Sequence, residues 1–210
     1  MKVIFVDWHR TLSYDVFWGH LKDPSHPNHR YFEPIEKCLF VENRALIKPW
    51  MRGKLALEDI VDRLSADLGI PADVIFDELR RSCEVMQFSF TGLEDLVQDV
   101  QARGISVVIA TDNMDAFTRF TVPALKIEEL FDGYLDSYDT GHLKDDAEPS
   151  GRLPFFDTFL DERGLTYGDV VLLDDAPDKS GKYQNMGFDT VVVDSPDTLR
   201  TSLESYACDS

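Results

Sequence analysis

Basic residues are scarce in this chain. Its 210 residues carry 21 Lys and Arg against 39 Asp and Glu, a formal net charge of −18. Binding to DNA or RNA needs cations that replace phosphate counterions, so no nucleic-acid partner is expected. The same shortage argues against an anionic membrane surface. Long apolar runs are missing too, and none approaches the roughly 18 residues of a membrane span. The opening MKVIFVD meets an acid too early for the apolar region of a signal peptide. Cysteine is rare: Cys38, Cys83 and Cys208 lie far apart and fit neither a disulfide framework nor a metal-binding spacing. A cytoplasmic protein with reduced thiols and no membrane partner is expected. There is no internal repeat and no low-complexity tract.

What is present is a set of short β-branched runs. KVIFVD (2–7), ISVVIATD (105–112), DVVLLDD (169–175) and FDTVVVD (188–194) read as strands buried on both faces. Helical patterns separate them. LEDLVQDVQARG (93–104) leads into the second strand and FFDTFLDERGL (155–165) into the third. Alternation of strand and helix predicts an α/β fold with a Rossmann-like parallel sheet. Such sheets bind ligands beyond the carboxyl ends of their strands. Here those ends carry Asp7, then Thr111 and Asp112, then Asp174 and Asp175, so several polar groups are aimed at one crevice.

Residues 14–91 have a different pattern. EPIEKCLFVENRALIKPWM, LALEDIVDRLSADLGIP and ADVIFDELRRSCEVM have helical periodicity, and no strand-like run interrupts them. The expected organisation is an α/β core over 1–13 and 92–210 with an inserted helical domain over 14–91. DPSHPNHR (23–30) is expected as a solvated loop, with His20, His26 and His29 at no metal-binding spacing.

The order of these motifs resembles the haloacid dehalogenase (HAD) superfamily of hydrolases. DWHRTL supplies Asp7, His9 and Thr11. VVIATDN supplies Thr111, with Asp112 and Asn113 behind it. GHLKDD supplies Lys144, followed by a longer connection than the family usually has. VVLLDDAPDKSGKYQNMGF supplies Asp174 and Asp175. The helical insertion resembles the cap domain of one branch of that superfamily. The resemblance implies that Asp7 is a nucleophile forming an aspartyl-phosphate, and that Mg²⁺ is held by Asp7, the His9 carbonyl, Asp174 and Asp175. It implies that Thr111, Asp112, Asn113 and Lys144 bind the phosphoryl group of a small phosphorylated or other anionic metabolite.

These roles have a physical basis. A phosphate ester repels an incoming carboxylate, and a divalent cation removes that obstacle. An oxygen-only ligand set favours Mg²⁺. His9 stands where the superfamily's phosphatases usually carry an acid/base Asp, and an imidazole has a pKa suited to both proton transfers. Three expectations therefore stand side by side. The first is a phosphatase with His9 as acid/base. The second is a carbon–phosphorus or carbon–halogen hydrolase, in the former case with Lys48 or Lys54 as a Schiff-base lysine. The third is a weakly active binding or regulatory relative. Substrate identity and oligomeric state are not encoded in any motif.

Overall fold

The computed structural model describes residues 2–208. Five strands form one sheet: β1 (Val3–Val6), β2 (Ser106–Thr111), β3 (Tyr134–Asp136), β4 (Val170–Asp174) and β5 (Asp189–Val192). Their spatial order is β3-β2-β1-β4-β5 and every pair is parallel. Ile4 pairs with Val107 on one side and Val171 on the other, which makes β1 the central strand.

Both faces of this sheet are covered, as continuous apolar strands require. Side chains alternate along each strand. Ile4, Val6, Val107, Ile109, Val171 and Leu173 face one apolar cluster. Val3, Phe5, Val108, Ala110, Val170 and Leu172 face the other. The helix Pro154–Glu162 closes the second face with Phe155, Phe156, Phe159 and Leu160. The helices Leu93–Gln101 and Pro196–Ala207 close the first with Val97, Val100, Leu199 and Leu203. Each such fully buried side chain contributes roughly 1.5–3 kcal/mol.

Two strands differ from expectation. β5 is an edge strand with a half-exposed pattern, and Val192 is 45% exposed. Its apolar sequence reads as a buried run, but it pairs on one side only, and its other edge meets solvent. β3 has three residues and no run long enough to announce itself. It is recruited by pairing Ile109, Ala110 and Thr111 with Tyr134, Leu135 and Asp136.

Residues 14–91 contain helices and turns and no strand. Leu57–Leu68 and Ala72–Glu84 are regular helices, separated at Gly69, whose φ of 66° is left-handed and ends the first. The expected helix over 33–51 is broken into Phe32–Lys37, a wider turn over Cys38–Glu42, and Ile47–Met51. Trp18 is pinned beneath this layer, donating from its indole to the Ile75 carbonyl at 2.9 Å. The two chain crossings pair with each other: the Ser89 amide donates to the Leu12 carbonyl at 2.8 Å, and the Gln87 amide to Asp15 at 2.7 Å. Trp18, Trp50 and Leu57 join the same apolar cluster as the sheet's first face. Among the described residues no helix is long and apolar enough to cross a membrane.

Candidate active site

Asp7 follows β1, and its amide still donates to the Leu173 carbonyl at 2.8 Å, so the sheet fixes its backbone. The chain then turns sharply. Ser13 donates its amide to the Trp8 carbonyl at 2.9 Å, and Arg10 takes a left-handed φ of 62°. Trp8 anchors the turn from below, its ring 5.1 Å from that of Phe117 and 6.1 Å from that of Phe88. The result is a buried Asp7 beside an exposed His9 and Arg10.

Lys144 ties the site together. Its ammonium donates to Asp7 Oδ1 at 2.7 Å and to Asp174 Oδ2 at 2.5 Å. All three side chains are nearly enclosed. Asp174 ends β4 and also accepts from the Ala176 amide at 2.8 Å. Asp175 follows it, with Arg10 3.9 Å away. One ligand oxygen from each of Asp7, Asp174 and Asp175 lies within 4.8 Å of the others. The fold thus gathers groups that are more than a hundred residues apart in sequence.

The charges in this crevice explain its titration. Burial raises the Asp7 carboxyl from 3.8 to about 7. The Asp174 charge adds to that rise, while Lys144 and the Trp8 amide oppose it. Burial also raises Asp112, helped by Asp145 and Asp174. Burial disfavours the charged form of Lys144, but the carboxylates of Asp7, Asp174 and Asp112 outweigh it and hold the ammonium protonated. The His9 imidazole sits below its ordinary range through desolvation, with Arg10 contributing and Asp175 opposing.

The loop bearing Lys144 is irregular, and polar contacts position it. The Lys144 amide donates to Asp112 Oδ1 at 2.8 Å. Asp146 accepts the Leu143 amide at 2.8 Å and is gripped by Arg52 through two bonds of 2.9 and 2.6 Å. Asp145 accepts from Lys182 at 2.8 Å and Tyr183 at 3.0 Å. Arg52 lies in the helical insertion, so that layer helps to set the lysine. Neither Arg52 nor Asp146 carries a signal in the sequence, because 94 positions separate them.

Two cavities meet at Asp112. A polar crevice of about 510 Å³ is lined by Asp7, Lys144, Asp174, Asp175 and Lys179. Beside it, a space of about 300 Å³ lies under the helical layer, lined by Trp8, His9, Asn113 and Phe117. Thr111 is buried at the end of β2, paired with Asp136, and lines neither space. Asn113 is held by its amide on Ser137 Oγ at 3.0 Å. Lys48 and Lys54 are exposed and border neither cavity. Asp178 accepts the Lys182 amide at 2.9 Å at the start of the helix Lys182–Met186.

The histidine-rich loop is better anchored than a solvated loop would be. His20 Nε2 lies 2.7 Å from Glu78, a buried acid, and His26 Nε2 lies 3.8 Å from it. Asn28 donates to the same carboxylate at 2.6 Å. His29 is bonded to the Leu21 carbonyl at 2.7 Å.

No protein-family model matches the chain, and no curated protein matches it in sequence. Solved structures do match it in shape. A predicted HAD-like family hydrolase from Porphyromonas gingivalis superposes with a TM-score of 0.68 at 13% identity, covering 100% of this chain and 99% of the other. A HAD family enzyme from Bacteroides thetaiotaomicron, in complex with magnesium and inorganic phosphate, gives 0.63 at 14% identity, covering 91% and 93%. The L-2-haloacid dehalogenase of Xanthobacter autotrophicus, with chloropropionic acid covalently bound, gives 0.62 at 13% identity, covering 98% and 83%. The chain has the haloacid dehalogenase-like fold.

Proposed function

We propose that this protein is a Mg²⁺-dependent phosphatase that acts on a small phosphorylated metabolite through an aspartyl-phosphate on Asp7. The observation that carries the proposal is the convergence of Asp7, Lys144, Asp174 and Asp175 at the carboxyl edge of the sheet. Three carboxylates offering oxygens within 4.8 Å, in a crevice where burial and like charge already raise Asp7, suit a hard divalent cation. Asp7, Asp174, Asp175 and the His9 carbonyl would hold it. When bound, Mg²⁺ supplies positive charge against the phosphoryl oxygens. The magnesium and phosphate of the Bacteroides enzyme support the same choice. The dehalogenase neighbour has similar shape, but a cluster of three acids favours a cation over an alkyl halide.

The protein's own groups then have these tasks. An Asp7 carboxylate oxygen attacks phosphorus, and the bond from phosphorus to the leaving alcohol oxygen breaks. Lys144 holds Asp7 in place and balances negative charge as it shifts. The imidazolium of His9 gives its proton to the departing oxygen. Neutral His9 then takes a proton from the water that attacks the aspartyl-phosphate, and inorganic phosphate leaves. Because His9 lies below its ordinary pKa range, it is better suited to the base step than to the acid step. Residues 14–91 would act as the cap that covers the crevice. The test is a phosphomonoester screen with Mg²⁺ on wild type and Asp7→Asn. Metal-dependent release of phosphate by wild type alone is expected; equal behaviour of the two proteins would refute the proposal.

A further inference from the structure

The space under the helical layer has a composition that narrows the substrate. Its walls are aromatic and thioether surface from Trp8, Phe17, Phe40, Met51 and Phe117. It has His9 on its wall and shares Asp112 with the crevice that holds Asp7, so it is the space next to a group leaving from phosphorus there. About 300 Å³ is room for an organic group of about ten heavy atoms. Neither Lys nor Arg lines it, and its His9 is used by the phosphoryl transfer, so a second phosphate or a carboxylate on the substrate would find no free counter-charge there.

The charged groups on its walls are acids. Asp15 is committed, accepting the Gln87 amide at the chain crossing. Glu36 is different. It is half-buried on the helix Phe32–Lys37, and among the described residues no hydrogen bond or ion pair reaches its carboxylate. The Lys22 charge offsets its burial in part, but that ammonium is exposed and sits over the Phe32 ring at 5.1 Å. Burial pushes the Glu36 carboxyl up, as an acid held away from water without a bonded cation should behave. An uncommitted carboxylate among aromatic faces is the combination that recognises an organic cation, by charge and by cation–π attraction.

We propose that this space is the leaving-group pocket and that it selects a phosphomonoester of an apolar, aromatic-sized alcohol bearing a protonated amine, which Glu36 receives. The proposal rests on the phosphatase assignment of the neighbouring crevice. Once the phosphoryl group is placed at Asp7, the amine end lies against Glu36 and the apolar skeleton against the rings.

Three aryl phosphates with side arms three atoms long test it: the O-phosphates of tyramine, 4-propylphenol and 4-hydroxyphenylacetate. With Mg²⁺, kcat/KM is expected to fall about tenfold from the amine to the neutral ester and further for the carboxylate. Glu36→Gln should collapse the amine preference, and Glu36→Lys should turn it toward the carboxylate. Binding of tyramine and 4-propylphenol, measured by calorimetry without catalysis, separates the two claims. Glu36-dependent preference for tyramine with no turnover of any ester would overturn the phosphatase assignment, and with it the leaving-group role, and leave standing only the recognition of an organic cation by Glu36. Turnover of all three esters at equal kcat/KM, or equal binding of amine and neutral compound, would overturn the pocket proposal.

Discussion

Replacing Lys144 by Met removes the cation from between two nearly buried carboxylates while keeping most of its volume. The ammonium lies 2.7 Å from Asp7 and 2.5 Å from Asp174. At an effective dielectric constant of about 20, each contact is worth about 6 to 7 kcal/mol before desolvation is subtracted. Breaking a buried pair by removing one partner typically costs about 3 to 5 kcal/mol net, because a charge is left uncompensated. The cost depends on pH, and its sign follows from Asp7. Its carboxyl is raised from 3.8 to about 7 in the folded protein, so the fold favours the neutral acid. Stability from that preference is full below the unfolded value near 3.8 and is lost as pH rises through about 7. Without Lys144 the main opposing charge is gone, and Asp7 moves higher still. Urea denaturation of metal-free protein should therefore show a loss of about 3 to 5 kcal/mol at about pH 8. At about pH 5, where Asp7 holds its proton in both proteins, the loss should shrink by roughly 1 kcal/mol. A loss of equal size at both pH values, or none at about pH 8, would refute the placement of Lys144 between the two acids.

Other consequences follow from single contacts. The bidentate Arg52–Asp146 pair joins the helical insertion to the Lys144 loop. Its double-mutant cycle should give a coupling of about 1 kcal/mol in stability, and Arg52→Met should lower kcat more than it raises KM. Gly53 has a φ of 66°, and a Cβ there would lie 2.7 Å from the Tyr138 carbonyl oxygen. Gly53→Ala should cost about 2 to 3 kcal/mol in chemical denaturation and weaken the seat of residues 14–91 on the sheet. His9→Asp supplies a carboxyl in place of an imidazole that is held below its ordinary range. It should speed turnover of alkyl phosphates, which need a strong acid, and change aryl phosphates little, as paired kcat measurements would show.

Much of the fold is legible because it is written in local patterns. KVIFVD, ISVVIATD and DVVLLDD are apolar on both sides of the alternation, and the structure places each in the middle of the sheet. The polar residues that end them are fixed by the same register, which is why Asp7 and Asp174 emerge together. β3 is not legible, since its three residues become a strand only by pairing with β2. The broken helix over 32–51 is also hidden, because helical spacing does not reveal the wider turn at Cys38–Glu42. At the site, contacts across long sequence separations are invisible in advance. Lys144 belongs between Asp7 and Asp174 through its loop, whose support by Arg52 and Tyr183 has no local signature. The same holds for Glu36, which stands out only when the structure shows it unpaired beside aromatic walls.

The central claim is that Asp7 carries the phosphoryl group during turnover. Wild-type protein mixed with Mg²⁺ and a reactive aryl phosphate, then quenched in acid within one turnover, should contain a peptide spanning Asp7 heavier by one phosphoryl group. That adduct should be lost in mild alkali, as an acyl phosphate is, and be absent from Asp7→Asn. Steady turnover with the Asp7 peptide unmodified, or undiminished turnover by Asp7→Asn, would contradict the account.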